Sequence, residues 1–138
     1  MFIYEVKGIR VRYADTDQMG YVYYGNYARY YEIGRVEALR SIGFSYKEME
    51  DAGVMMPVYE NRSKYIRPAR YDDELTIKVI LKKIPGTRVV FEYEIRNQDD
   101  VLLNVGETTL VFQKRDTVKL CVAPAPLILK LSPYFQTL

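Results

Sequence analysis

Three runs in the second half of this chain alternate apolar and polar residues with a period of two. Leu75, Ile77, Val79 and Leu81 interleave with Thr76, Lys78, Ile80 and Lys82, and Val89, Phe91, Tyr93 and Ile95 interleave with Val90, Glu92, Glu94 and Arg96. Val101 to Gln113 is apolar on both sides for part of its length. The period marks strands, and the doubly apolar run marks a strand flanked by others. The connections are too short for crossovers, so the strands run antiparallel. Pro-Gly in Ile84-Pro85-Gly86-Thr87 predicts a type II turn, and Asn97-Gln98-Asp99-Asp100 predicts the next turn. A sheet of this kind has an apolar face that some other element must cover.

Only one long helical pattern is available to do so. From 25 to 42, Tyr27, Ala28, Tyr31, Gly34, Ala38, Leu39 and Ile42 fall on one side of a helix, and Arg29, Glu37 and Arg40 fall on the other. Gly34 and Ala38 on the inner side let the axis lie close to a sheet. Asn26 predicts the N-cap and Gly43 the C-terminal stop. Arg35 lies on the apolar side, where an ion pair with Glu32 at the i, i+3 spacing is expected to satisfy it.

Residues 3 to 13 predict a strand with Ile3, Glu5, Lys7, Ile9 and Val11 on one face and Tyr4, Val6, Arg10 and Arg12 on the other. Ser45 to Gly53 predicts a short helix capped by Ser45, with Glu48 at the capping-box spacing. Met55 to Arg70 is polar and strand-compatible, with Pro57 and Pro68 near its margins, and the tail from Ala123 to Leu138 predicts a short terminal helix. The order predicts an α+β fold in one domain, 1–138: an antiparallel sheet wrapped around one long central helix.

Composition removes several chemistries. The 138 residues include 14 Tyr, one Cys and no His, which excludes Ser-His-Asp and Cys-His sites, imidazole proton shuttles and His-ligated zinc. Cys121 alone builds neither an intramolecular disulfide nor a multi-cysteine metal site, so a reducing cytoplasm is expected. A net charge of +2 without a basic run does not suggest nucleic acid. No apolar run approaches the ~20 residues of a membrane-spanning helix, and the N-terminus lacks the pattern of a signal peptide.

The chemistry-bearing stretch is Arg12 to Arg40. Asp15 and Asp17 are followed by Gly20 and then by tyrosines at 21, 23, 24, 27, 30 and 31, the last of them on the helix. A carboxylate beside a helix start brings a base or nucleophile to backbone N–H groups that can stabilise an oxyanion. Asp17 can serve in that way, or both aspartates can cap a turn, which is the expected part for Asp15. The tyrosines can line an acyl pocket or pack in the core. A metal site on the two aspartates needs further ligands, and Glu32 is the one obvious candidate.

The segments D15-T16-D17, M19-G20, V22-Y23-Y24-G25-N26-Y27 and E32-I33-G34-R35 resemble the signature of the 4-hydroxybenzoyl-CoA thioesterase and related acyl-CoA thioesterase family. That resemblance implies the hotdog fold and hydrolysis of an acyl-CoA thioester to free acid and CoA, with no cofactor and no metal. It implies that Asp17 is the catalytic carboxylate and that the backbone near Tyr24 polarises the thioester, with Gly25, Asn26 and Tyr27 at the substrate. Many bacterial members have histidine at the position of Tyr24, whereas the hydroxybenzoyl branch tolerates an aromatic residue there. A dehydratase hotdog is disfavoured because its Asp-His pair cannot be built. Lys64, Arg67 and Arg88, with Arg70 nearby, are the candidates to meet CoA phosphates. Related subunits pair edge to edge and share active sites, which implies a homodimer or homotetramer. The alternative is a non-catalytic module that binds acyl-CoA or another small ligand.

Overall fold

The computed structural model describes residues 1–136, so Thr137 and Leu138, the end of the expected terminal segment, lie outside the described residues. The elements are β1 (Phe2–Arg10), α1 (Tyr27–Ser41), α2 (Tyr46–Asp51), β2 (Val54–Met55), β3 (Val58–Tyr65), β4 (Glu74–Leu81), β5 (Arg88–Arg96), β6 (Leu102–Val111), β7 (Gln113–Lys114) and α3 (Ala125–Leu131). Five strands form one antiparallel sheet in the order β1-β4-β5-β6-β3, and β2 pairs with β7 separately. The alternating residues Leu75, Ile77, Val79, Leu81, Val89, Phe91, Tyr93 and Ile95 are buried on the side that α1 covers, so the period of two settles which face is the core.

The first strand is in register with that core only because of Gly8. At φ 78° this glycine forms a bulge where the pairing with β4 shifts between Val6 and Ile9. The extra residue reverses the alternation, so Phe2, Tyr4 and Val6 turn inward before it and Ile9 and Val11 after it. The even split of residues 3 to 13 over two faces is therefore corrected, and the strand stops at Arg10.

Helix α1 buries Tyr27, Tyr30, Tyr31, Gly34, Arg35, Ala38 and Leu39. Gly34 does lie against the sheet: a Cβ there would stand 2.9 Å from the methyls of Ile77 and Val79. Ala28 is exposed and Tyr30 takes the inner side, its hydroxyl drawn to the buried Asp15 carboxylate at 3.3 Å. Arg35 makes no ion pair with Glu32. Its Nη1 donates to the Tyr93 hydroxyl at 3.5 Å, its Nε is buried without a partner among the described residues, and Glu32 stays exposed. Burying Glu32 as well would desolvate a second charge, so the helix leaves it in water.

Gly43 ends α1 at φ 79°, and the Ser45 hydroxyl accepts the Glu48 amide at 3.3 Å to open α2. Asn26 occupies the N-cap position of α1 but makes no capping bond. The connection from Lys82 to Thr87 is not a type II turn either. Gly86 has no positive φ, and two distant segments hold this loop: Ala123 donates to the Gly86 carbonyl at 2.8 Å, and Phe112, just after β6, donates to that of Thr87 at 3.1 Å.

Candidate active site

The loop from Thr16 to Val22 is closed by Asp17. Its Oδ1 accepts the amides of Met19 at 2.9 Å and Tyr21 at 3.3 Å, its amide donates to the Tyr21 carbonyl at 2.8 Å, and Gly20 turns the chain at φ 78°. One carboxylate oxygen thus caps the turn, as aspartates in loops do. The other, Oδ2, accepts no hydrogen bond among the described residues, and the side chain is only partly buried. The loop is anchored to the β3–β4 connection where the Val22 amide donates to Ala69 at 2.8 Å.

Asp15 faces the other way. It is 6% exposed, and its Oδ2 accepts the Arg12 amide at 3.0 Å and the Tyr30 hydroxyl, while its Oδ1 is bonded by the Arg29 guanidinium. Burial pushes the pKa of this carboxyl up, but the Arg12 amide, Arg29 and Tyr30 outweigh it and hold the group below the ordinary value. Loss of hydration, and after it the same carboxylate, drive the Tyr30 phenol far above its usual range.

Between the two aspartates and α1 stands a single 3-10 turn, Tyr24–Asn26. The first amides of a helical turn have no acceptor within it, and here they belong to Tyr24 and Gly25. Asp17, Tyr24 and Tyr27 line a cavity of about 300 Å³ together with Met19, Tyr65 and Arg67. The rings of Tyr24 and Tyr27 both meet Tyr65 edge-on, with centroids 6.4 and 5.3 Å apart. A wider depression of about 820 Å³ lies on the far side of Asp17, between Tyr13 and Tyr71, but it contains no residue of the helix tip. The first cavity is lined by Asp17 and by Tyr24, the residue that opens the helical turn, and a carboxylate beside helix-tip amides is the combination that acyl transfer needs.

The residues singled out from the sequence fall into three groups. Asp17, Tyr24, Tyr27 and Arg67 share the cavity. Gly25 is exposed at the tip beside it, and Asn26 is committed elsewhere, its Nδ2 donating to the Asp15 carbonyl at 2.9 Å. Lys64 lies on the face of the sheet turned away from α1, beside Glu94 and Val105, and Arg88 stacks over the Tyr59 ring 5.0 Å away at the other end of β3. Of the other tyrosines, Tyr21 lines the cavity, whereas Tyr30 and Tyr31 belong to the core. Tyr65 and Met19 line the cavity as well, beyond the candidate site residues of the sequence. Tyr65 arrives from β3 by a long-range contact that no local pattern announces. Among the described residues no three His, Cys, Asp or Glu side chains gather into a metal-binding group.

The Thioesterase superfamily matches residues 19–104 of the chain, a match that begins just after Asp17. YneP of Bacillus subtilis (strain 168) is 38% identical over 91 residues, 66% of this chain and 66% of that one. The acyl-CoA thioester hydrolase YbgC of Escherichia coli O6:H1 is 38% identical over 103 residues, 75% of this chain and 77% of the relative. Among solved structures, the DHNA-CoA thioesterase from Staphylococcus aureus superposes with a TM-score of 0.84 at 34% identity, over 98% of this chain and 85% of that one.

Proposed function

The chain belongs to the thioesterase superfamily and has its hotdog fold, and from that premise we propose that it hydrolyses an acyl-CoA thioester to the free acid and coenzyme A. The observation that carries the proposal is that Asp17 and Tyr24, the residue that opens the helical turn, line one cavity. The names of the similar proteins from E. coli and S. aureus, both thioester hydrolases of CoA, support the same substrate class.

In this mechanism the thioester carbonyl oxygen takes hydrogen bonds from the helix-tip amides as it becomes an oxyanion. Asp17 either removes a proton from the attacking water or attacks the carbon itself, giving an acyl anhydride that water then opens. In both routes the C–S bond breaks and the CoA thiolate leaves. A thiolate is a good leaving group, so no imidazole acid is required. Arg67 at the cavity rim is suited to a CoA phosphate.

The same proposal includes a homo-oligomer, dimer or tetramer, built on the exposed edge of β3. This strand buries neither face fully, and Val58, Tyr59 and Tyr65 are exposed. Antiparallel self-pairing centred on Arg62 would set Glu60 against Lys64 and Tyr59 against Tyr65 of the second copy. The Arg88 that stacks on Tyr59 would then approach the cavity of the other subunit as a second phosphate ligand. The unpaired Cys121 fits a reducing, cytoplasmic setting.

Benzoyl-CoA and a set of aliphatic acyl-CoA esters, assayed with a thiol-reactive dye, test this function. Thiol release that Asp17→Asn lowers about a thousandfold supports it. Near-normal release by Asp17→Asn refutes the assignment of Asp17, and acyl-CoA binding without any release favours a binding module. Under single turnover in oxygen-18 water, label in Asp17 excludes a pure general-base route.

A further inference from the structure

Asp15 makes more contacts than closing a turn requires. Turn closure accounts for the Arg12 amide, three residues away. The remaining bonds run to the helix tip: the Asp15 carbonyl accepts the Tyr23 amide at 2.9 Å and Asn26 Nδ2 at 2.9 Å, and its carboxylate holds Arg29 and Tyr30. These four partners bracket Tyr24 and Gly25 on both sides. Asp17, two residues further along, bonds only within its own loop. The chain itself joins Asp17 to the helix tip through Gln18 to Tyr23, and the Asp15 bonds hold the other end of that loop to the same tip.

We infer that Asp15 is a positioning residue: with Arg29 it clamps the loop that carries Asp17 to the helix tip that carries the Tyr24 and Gly25 amides. This rests on those groups being the reacting ones, as proposed above. Two parts of one site on separate segments must keep their spacing through the reaction, and a shift of about 1 Å between attacking group and oxyanion donors can lower turnover about a hundredfold. Arg29 is the accessible half of the clamp, with a side chain 54% exposed against 9% for Asp15. Its guanidinium bonds Asp15 and lies over the Tyr30 ring, and it does not line the cavity with Asp17, so its removal is expected to act on the chemical step and not on substrate capture.

The experiment compares Asp15→Asn, Arg29→Gln, Arg29→Lys and the double variant Asp15→Asn/Arg29→Gln on benzoyl-CoA, or on the preferred ester of the acyl-CoA panel. Arg29→Gln is expected to lower kcat about tenfold or more with KM within about twofold of the unaltered protein. Arg29→Lys recovers most of that loss, because an ammonium still pairs with the carboxylate. The double variant loses no more than Asp15→Asn alone, the signature of one shared interaction. A kcat for Arg29→Gln within about twofold of the unaltered protein, or losses that multiply in the double variant, overturns the clamp. If Asp15→Asn does not fold, the two Arg29 variants decide. Should Asp17→Asn prove fully active, Asp17 is misassigned, and hydrogen exchange at the Tyr23 amide then judges the clamp. Exchange about tenfold faster in Arg29→Gln supports it and unchanged exchange overturns it.

Discussion

The phenol of Tyr31 lies over Gly106 so closely that a Cβ on that glycine would stand 2.2 Å from the hydroxyl oxygen. The ring is held there from both sides. It stacks on Tyr93 with centroids 4.2 Å apart and planes within 1°, and its hydroxyl bonds Asn104 and, at 2.7 Å, Ser63. A fully buried phenol with that many partners cannot step aside. Gly106→Ala is expected to destabilise the fold by about 3 kcal/mol, against about 1 to 2 kcal/mol for Gly34→Ala, whose added methyl meets only side-chain methyls. Urea midpoints with unchanged m-values measure both, and a Gly106→Ala variant as stable as the unaltered protein would contradict the packing described.

Arg35 is a buried cation whose observed partner is a neutral phenol. Its hydration is lost without a carboxylate to offset it, the circumstance in which an apolar isostere does at least as well. Arg35→Met is expected to leave stability unchanged or to raise it by about 1 kcal/mol. A loss above about 2 kcal/mol in the same denaturation experiment would mean that the guanidinium is compensated by groups other than the Tyr93 hydroxyl.

The contrast between Arg35 and the strands shows what a sequence makes legible. Leu75 to Leu81 and Val89 to Ile95 are ordered by a local period, so their inward faces follow from the residues alone. Gly43 and Ser45 act within a few residues of themselves, and they too were readable. Gly8 hides its effect, since one glycine in an alternating run does not reveal that it reverses the alternation. The local rule makes Asn26 a cap, yet a carbonyl 11 residues back holds its side chain. Asp17 and Tyr24, which share the cavity, are legible as neighbours of a helix start. Tyr65, the separation of Lys64 and Arg88 from the cavity, and the Arg29 partner of Asp15 depend on how distant segments meet.

Asp15 ties the stability of the fold to pH on the acid side. A carboxyl whose pKa is lowered on folding adds stability that is complete well above its unfolded value, near the ordinary 3.8, and is lost as pH falls through the lower folded value. The protein should therefore weaken on acidification from about pH 5 downward. In Asp15→Asn, which has nothing to titrate there, that part of the acid slope should be missing. Urea midpoints collected from neutral pH to about pH 3 compare the two, and parallel curves would show that Asp15 titrates alike in the folded and unfolded chains.

If the oxyanion is held by main-chain amides, the ring and hydroxyl of Tyr24 are dispensable and its N–H is not. Tyr24 is 65% exposed, so removing the hydroxyl in Tyr24→Phe should leave kcat within about threefold. Proline separates the amide from the side chain. Position 24 opens a helical turn, where proline is tolerated, and Tyr23 before it has φ −58° and ψ 132°, the extended geometry that a following proline prefers. Tyr24→Pro should therefore fold, while Tyr24→Ala controls for the lost ring. Relative to Tyr24→Ala, the proline variant is expected to lose about a hundredfold in kcat, the usual effect of deleting one oxyanion donor. Steady-state hydrolysis of the preferred acyl-CoA ester, with circular dichroism to verify folding, decides the matter. Equal turnover by the alanine and proline variants would remove the Tyr24 amide from the mechanism and leave Gly25 as the donor to test.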